Sequence, residues 1–327
     1  SLLMDEVTIG NKKGKDWADE TIQQLKSMPN VIVKNRSQVF GYYDHNMMVM
    51  FERTKDHVEN SSKYIPRQRL WYIRAKEVIA STGSIERPLV FGNNDRPGIM
   101  LASAAKEYLK VYGVLVGKKP IIFTNNDSAY DTAIDFKKNG ISPIVIDVRD
   151  NSNGTVVKEA KSLNIDIRFS HAISNAKGYL RVNSVTVGKL NEKKSGYEKL
   201  EDISCDCICI SGNWTPTVHL ASQSGNKLKF DEKINAFIPN KSRQNESTIG
   251  SANGSFTLKK SLEEGFNKGF ETSNNFTPLS CAATASISPY KSKFSKLRLL
   301  VPNTTPRLWG LEGFEIFTTY NPLLDVK

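Results

Sequence analysis

The stretch Ile121–Asp150, IIFTNNDSAYDTAIDFKKNGISPIVIDVRD, constrains the fold more than any other part of this chain. An apolar run, a short polar turn, an amphipathic stretch and a second apolar run ending in Asp147 make a β-α-β unit. The first turn of such a unit usually carries glycines, so that the pyrophosphate of a dinucleotide can approach the backbone. Here that turn is Thr124-Asn125-Asn126-Asp127-Ser128-Ala129, without a glycine. Thr124, Asn126 and Ala129 fall at the three fingerprint positions, and Asp147 at the separation expected of an acceptor for a ribose hydroxyl. Alanine suffices at the third position. A side chain at the second stands between backbone and pyrophosphate, and Thr124 cannot adopt a left-handed turn cheaply. The unit therefore reads as a scaffold whose nucleotide site has decayed.

At 327 residues the chain has room for two domains, or for one inserted into another. No segment approaches the roughly 18 apolar residues of a membrane span. The start, SLLMDEVTIG, has neither a basic n-region nor an apolar h-region, so a cytoplasmic setting is expected. The net charge is +11, but the basic residues are dispersed and no zinc finger or aromatic-and-basic signature joins them, which argues against nucleic acid. Cys205, Cys207 and Cys209 alternate along one apolar run and are expected to line one face of a strand as reduced core residues. Their spacing fits no zinc or iron–sulfur pattern, and no metal is expected.

Along the chain, residues 16–28 read as a helix and Val31–Asn35 as a strand. A β-meander follows through VFGYYDHNMMVMFERT and RQRLWYIRA, with imperfect alternation at Met48-Val49-Met50-Phe51. Tyr42, Tyr43, Asp44 and His45 sit in this meander, where a strand sending alternate residues to opposite faces accounts for them. IMLASAAKEYLKVYG reads as a helix capped by Gly113. Two further junctions matter. Val78-Ile79-Ala80 runs into Ser81-Thr82-Gly83, which places a hydroxyl and backbone N–H groups at the carboxyl end of a sheet. STIGSANGSFTLKKSLEEG brings a strand to Gly250 and starts a helix near Thr257, with Ser255 or Thr257 as N-cap. The four histidines are scattered, and no residue can be assigned to catalysis.

The order of these junctions resembles a flavoprotein with two dinucleotide-binding domains, one nested in the other. More narrowly, VFGYYDHN, RQRLWYIRAKEVIASTGSIERPLVFGNNDRPGIMLASA, IIFTNNDSAYDTAIDF, CICISGNWTPTVHLASQSGNKLKFDE and IGSANGSFTLKKSLEEG resemble the alpha subunit of heterotetrameric sarcosine oxidase, from about Ser1 to Gly265. The resemblance implies an α/β fold of two nested Rossmann-like domains of the FAD/NAD(P)-binding type, the first incomplete at its N-terminus because no Gly-x-Gly-x-x-Gly occurs. It divides the chain into residues 1–87 plus 205–269, an inserted domain at 88–204 and an irregular tail at 270–327. It implies oxidative demethylation of sarcosine to glycine, with one-carbon transfer to tetrahydrofolate. Noncovalent NAD would lie in the first domain, bordered by Ser81, Thr82, Gly83, Gly250, Ser251, Ala252, Asn253 and Gly254. FAD and FMN would lie mainly on, or be shared with, a beta subunit, and gamma and delta subunits would complete the complex. The last residues do not resemble the folate-binding half, so the chain is expected to be an internal fragment or a truncated reading frame, inactive when isolated. A subunit of an opine or amino-acid dehydrogenase, and a decayed docking paralogue, are the alternatives.

Overall fold

A computed structural model describes residues 7–59, 62–274 and 316–317. The chain forms two compact units, one of Ile85–Thr215 and the other of Thr8–Ser84 together with the chain from Pro216 onward. The boundary expected at Cys205 therefore falls after Thr215. The strand beginning at Cys207 is paired on both sides within the inserted unit's sheet and cannot leave it.

The outer unit begins with helix α1 (Gly14–Ser27). Val31–Asn35, expected as a strand, has no strand partner and runs as irregular chain into the meander. Strands β1 (Ser37–Tyr43), β2 (Met47–Arg53) and β3 (Gln68–Arg74) pair antiparallel in sequence order. His45 and Asn46 make the first reversal in the left-handed region, with φ of 61° and 51°. Alternation separates the two tyrosines as expected: Tyr42 is buried and Tyr43 is half exposed. The Tyr42 hydroxyl donates to Asn46 Oδ1 (2.8 Å), and Asn46 Nδ2 donates to the carbonyls of Lys76 and Asn245 (3.1 Å each). This buried amide secures the meander to strand β4 (Val78–Ala80), whose Val78 N–H donates to Asn245 O.

The inserted unit contains β5 (Ile99–Leu101), α2 (Ala102–Tyr112), β6 (Pro120–Thr124), α3 (Tyr130–Lys138), β7 (Ile144–Asp147), α4 (Thr155–Ser162) and β8 (Asp166–Phe169). An antiparallel sheet follows, of β9 (His171–Gly178), β10 (Val182–Leu190) and β11 (Tyr197–Ser204), and then β12 (Cys207–Ser211). Strands β8, β7, β6, β12 and β5 lie side by side in that order, all parallel. Gly113 ends α2 in the left-handed conformation, φ 65°, as expected of a C-cap glycine. All three helices pack on one face of the parallel sheet: Ala105, Tyr130, Ala133, Phe136, Val157 and Ala160 cluster with Ile122, Val145, Cys207 and Cys209. The antiparallel sheet covers the other face through Ile173, Val185 and Val187, which meet Ile121, Phe123, Ile146, Ile208 and Ile210. Strands covered on both faces read as continuous apolar runs, which is why β6, β7 and β12 stood out in the sequence.

Cys205 corrects the expectation of three thiols on one face. It lies in the layer with the antiparallel sheet, whereas Cys207 and Cys209 face the helices, their sulfurs 3.8 Å apart. The chain passes from one sheet to the other at Cys205–Asp206, where Asp206 accepts from the Lys118 and Lys119 N–H groups (2.7 and 2.8 Å), so the period-2 alternation restarts there.

Back in the outer unit come helix α5 (His219–Gln223), the hairpin β13 (Leu228–Asp231) and β14 (Ala236–Pro239), strand β15 (Glu246–Thr248) and helix α6 (Leu258–Asn274). Strand β16 (Ile316–Phe317) pairs with β4, giving a parallel sheet ordered β15-β4-β16. Thus α6 and β16 carry regular structure into the stretch expected to be an irregular tail. Cys281 lies outside the described residues. Among the described residues, no helix is long and apolar enough to cross a membrane.

Candidate functional site

The two junctions singled out in the sequence lie far apart, Gly250 being 167 positions after Gly83, yet they end adjacent parallel strands. Val78 pairs with Glu246 and Ala80 with Thr248, so Ser81-Thr82-Gly83 and the turn from Ile249 to Gly254 leave the same edge of one sheet. The Ile249 N–H donates to Ala80 O at 3.0 Å and carries the pairing one residue past the strands. Thr82 turns its hydroxyl onto Thr217 O (2.7 Å), and Gly83 takes φ 78° with open space where a side chain would stand.

Residues Gly250–Asn253 form one turn of 3-10 helix, closed by Gly254 at φ 79°. Glu264, from α6, binds this turn. One of its oxygens accepts from the Gly250 N–H (2.8 Å) and the other from the Ser255 hydroxyl. That settles the N-cap: Thr257 Oγ1 accepts from the Lys260 N–H at 3.4 Å, while Ser255 is committed to Glu264. Ala252 is fully buried, and a Cβ on Gly254 would come within 3.2 Å of Ile234 and 3.3 Å of Ile238, so these two positions serve packing. Gly83 and the half-exposed Ser81, Ser251 and Asn253 remain at the open edge. Because Glu264 already holds the Gly250 N–H, that group is not free to donate to a phosphate.

The turn after β6 is a different matter: its own side chains fill it. Thr124 Oγ1 donates to Asn126 O (3.0 Å) and accepts from the Asn126 N–H (3.1 Å). Asn126 Nδ2 reaches across the sheet edge to Ser211 O (3.2 Å) and Ser211 Oγ (3.1 Å), while its Oδ1 accepts from the Ser128 N–H (3.0 Å). An Asx cap thus provides the turn that a glycine would otherwise make. Asp147, fully buried, accepts from the Tyr130 hydroxyl at 2.7 Å and from Arg149 Nη2 at 2.7 Å. Arg149 Nη1 also holds Asp127 at 2.7 Å. Burial, then the bond to Asp147, hold the Tyr130 phenol well above its usual range. Burial opposes the charge on Arg149, but the bonds to Asp147 and Asp127 outweigh it and keep the guanidinium above its ordinary value. Asp147 is thus committed to Tyr130 and Arg149, and the Asn126 and Ser128 N–H groups to side chains of the turn itself.

Two residues that matter here, Glu264 and Arg149, were missed in the sequence. Glu264 lies fourteen residues from the Gly250 N–H it binds, beyond the reach of any local pattern. Arg149, two residues after Asp147, was legible in principle as the partner of a carboxylate with no ribose to bind. The histidines stay apart in role: His45 in the β1–β2 reversal, His171 bonding Phe169 O through Nδ1 (2.6 Å), His219 at the start of α5. Among the described residues, no group of three or more His, Cys, Asp or Glu could hold a metal ion.

No protein-family model matches the chain. It is 34% identical over 266 residues to sarcosine oxidase subunit alpha of Rhizobium meliloti (strain 1021), a match covering 81% of this chain and 26% of that one. The subunit alpha of Corynebacterium sp. (strain P-1) is 35% identical over 254 residues, 76% of this chain and 26% of that one. The chain belongs to the sarcosine oxidase alpha-subunit family over that segment. It spans about a quarter of the length of the curated relatives it matches.

Solved structures add the fold. Thioredoxin reductase of Lactococcus lactis superposes with a TM-score of 0.58 at 13% identity, over 80% of this chain and 82% of that one. The T. acidophilum thioredoxin reductase gives 0.56 at 14%, over 80% and 81%. L-proline dehydrogenase from P. horikoshii gives 0.52 at 18%, over 91% and 56%. At these identities the likeness is one of fold, the nested Rossmann-like architecture of FAD/NAD(P)-binding oxidoreductases.

Proposed function

We propose that this chain is the dinucleotide-domain part of the alpha subunit of a cytoplasmic flavoprotein oxidase complex of the sarcosine oxidase type. The observation that carries the proposal is the convergence of Ser81–Gly83 and Gly250–Gly254 on one sheet edge, within a stretch 34% identical to a named alpha subunit. In this reading the complex oxidatively demethylates sarcosine to glycine and passes the one-carbon unit to tetrahydrofolate. The hydride acceptor is a flavin, with FAD and FMN held mainly on or shared with a beta subunit, and gamma and delta subunits completing the assembly.

This chain's own residues do structural work. Ser81, Thr82, Gly83 and Gly250–Gly254 border a noncovalent NAD, and Glu264 fixes the second of those turns by occupying its first N–H. The inserted unit binds no nucleotide, because Asn126 and Arg149 occupy the places a pyrophosphate and a ribose would take.

The test is to co-express the chain with a beta-type companion, denature the purified complex and chromatograph what it releases. NAD is expected in amounts matching the alpha chain. It should fall at least about tenfold in Gly83→Val, where a side chain enters the open space above the turn, with a cooperative melt showing that the variant is folded. A complex that purifies intact and releases no NAD would overturn the cofactor assignment. Retention in Gly83→Val would move it elsewhere.

A further inference from the structure

Strand β2 carries an unbroken apolar run, Met47-Met48-Val49-Met50-Phe51, a pattern typical of strands covered on both faces. One face is covered: Met48 and Met50 pack with Val39, Tyr42, Ile73 and Val78. On the other, Phe51 stands opposite Leu70 and Val49 opposite Tyr72. A bulge in β1 puts Phe40 beside Phe51, ring centroids 6.4 Å apart. The Tyr43 ring lies over Gly41, where a Cβ would come within 2.7 Å of it. Phe40, Tyr43, Leu70 and Tyr72 are 48, 50, 50 and 57% exposed. An aromatic strip of this kind on one sheet face marks an interaction surface.

Cations close both ends of the strip, and Asp44 stands in the reversal between Tyr43 and His45. Arg53 closes one end, its guanidinium 5.7 Å from the Phe51 ring, and Arg74, paired opposite Met47, closes the other. Beyond Arg74 an open cleft of about 400 Å³ is lined by His45, Arg74, Ala75 and Lys76, none of them acidic. A second copy docking about a twofold axis would set these cations against themselves. Residues 275–315 of the chain carry five Lys or Arg against two Glu, so they too match poorly.

We infer that the outer face of the β1–β3 meander is the docking surface for a companion subunit that presents an apolar strip ending in carboxylates. The strip covers Phe40, Leu70 and Tyr72, and a carboxylate pairs with Arg74 at its end. This rests on the subunit reading above.

The experiment co-expresses the full chain with the tagged companion and measures retention by wild type, Tyr72→Glu, Arg74→Glu and Tyr179→Glu. Tyr179, 92% exposed in the inserted unit, is the control. Wild type and the control should co-purify, with retention weakening in high salt. Tyr72→Glu and Arg74→Glu should each lose about tenfold or more in apparent affinity while keeping the wild-type melt. Equal retention of all four overturns the docking surface and leaves the subunit reading standing. Failure of wild type to be retained overturns both. A benzophenone side chain at position 70 supplies the second readout. Crosslinks to the companion support the inference, and crosslinks to a second copy or to residues 275–315 overturn it.

Discussion

Gly154 shows how tightly the inserted unit's turn is closed. It precedes α4, and a Cβ there would sit 2.0 Å from Asp127 Oδ2. That carboxylate is held by Arg149 and by the Ser152 hydroxyl (2.9 Å) and has little freedom to withdraw. Gly154→Ala should therefore destabilise the unit by about 1–3 kcal/mol, as overpacking does, read as a lowered melting temperature. A neutral result would mean that the Asp127–Arg149 pair yields easily. The thiols make a second residue-scale case. Burial, then the charge of Asp206, push the Cys205 thiol up to about 12, and Cys209 is raised by its bond with Cys207 and by complete enclosure. Cys205 and Cys209 should resist alkylation at pH 8 in the native chain and react once it is unfolded, which peptide mass mapping can follow. With the folded value above the unfolded one, the thiol's contribution is intact below about pH 8.5 and is lost as pH rises toward 12.

At the scale of elements, α6 and the Gly250–Gly254 turn depend on each other. Glu264 satisfies the Gly250 N–H and the Ser255 hydroxyl from the second turn of the helix, while Thr272 donates to Glu77 Oε1 (2.9 Å), just before β4. Glu264→Gln keeps the shape but weakens two charge-assisted bonds, and should cost about 1–3 kcal/mol in a thermal or urea melt. Glu263→Gln, on an exposed neighbour, is the control and should be silent within about 0.5 kcal/mol. Ile99–Leu101, read as the start of a helix, forms strand β5 instead, and α2 begins only at Ala102. Helices α1, α2, α3 and α6 and strands β6, β7 and β12 were visible in the sequence because their apolar runs are long. Strand β11, the β13–β14 hairpin and the 3-10 turns were not. β11 is an edge strand with exposed charges along its length, and short hairpins carry too few residues to show a period.

At the scale of the whole molecule, the chain enters and leaves the inserted unit between Ser84 and Ile85 and between Thr215 and Pro216. The residues of both hydrophobic layers flanking the five-stranded sheet come from within that unit, from Phe91 to Ile210. Residues 85–215 expressed alone should therefore fold, showing a native-like circular dichroism spectrum and a single cooperative melt. A molten or aggregated product would mean that the outer unit supplies stability that the core residues do not. The cytoplasmic oxidase reading belongs to this scale too, since it depends on companions and on parts of the relatives that this chain does not span.

Local sequence carries the α/β class, the nested order of two dinucleotide-type domains, the family, and the lack of glycine in the β6–α3 turn. Each of these is written in local signals: apolar period, turn residues, the absence of glycine at a spacing where backbone must approach a phosphate. The tertiary structure decided which distant segments meet. Pairing of β4 with β15 brought Ser81–Gly83 to Gly250–Gly254, and the crossing at Asp206 sent Cys205 and Cys207 to opposite faces. The fold also brought Glu264 to the Gly250 N–H and Arg149 to Asp147. Strand pairing and side-chain reach across a core join residues far apart in the chain, and no local pattern carries that information.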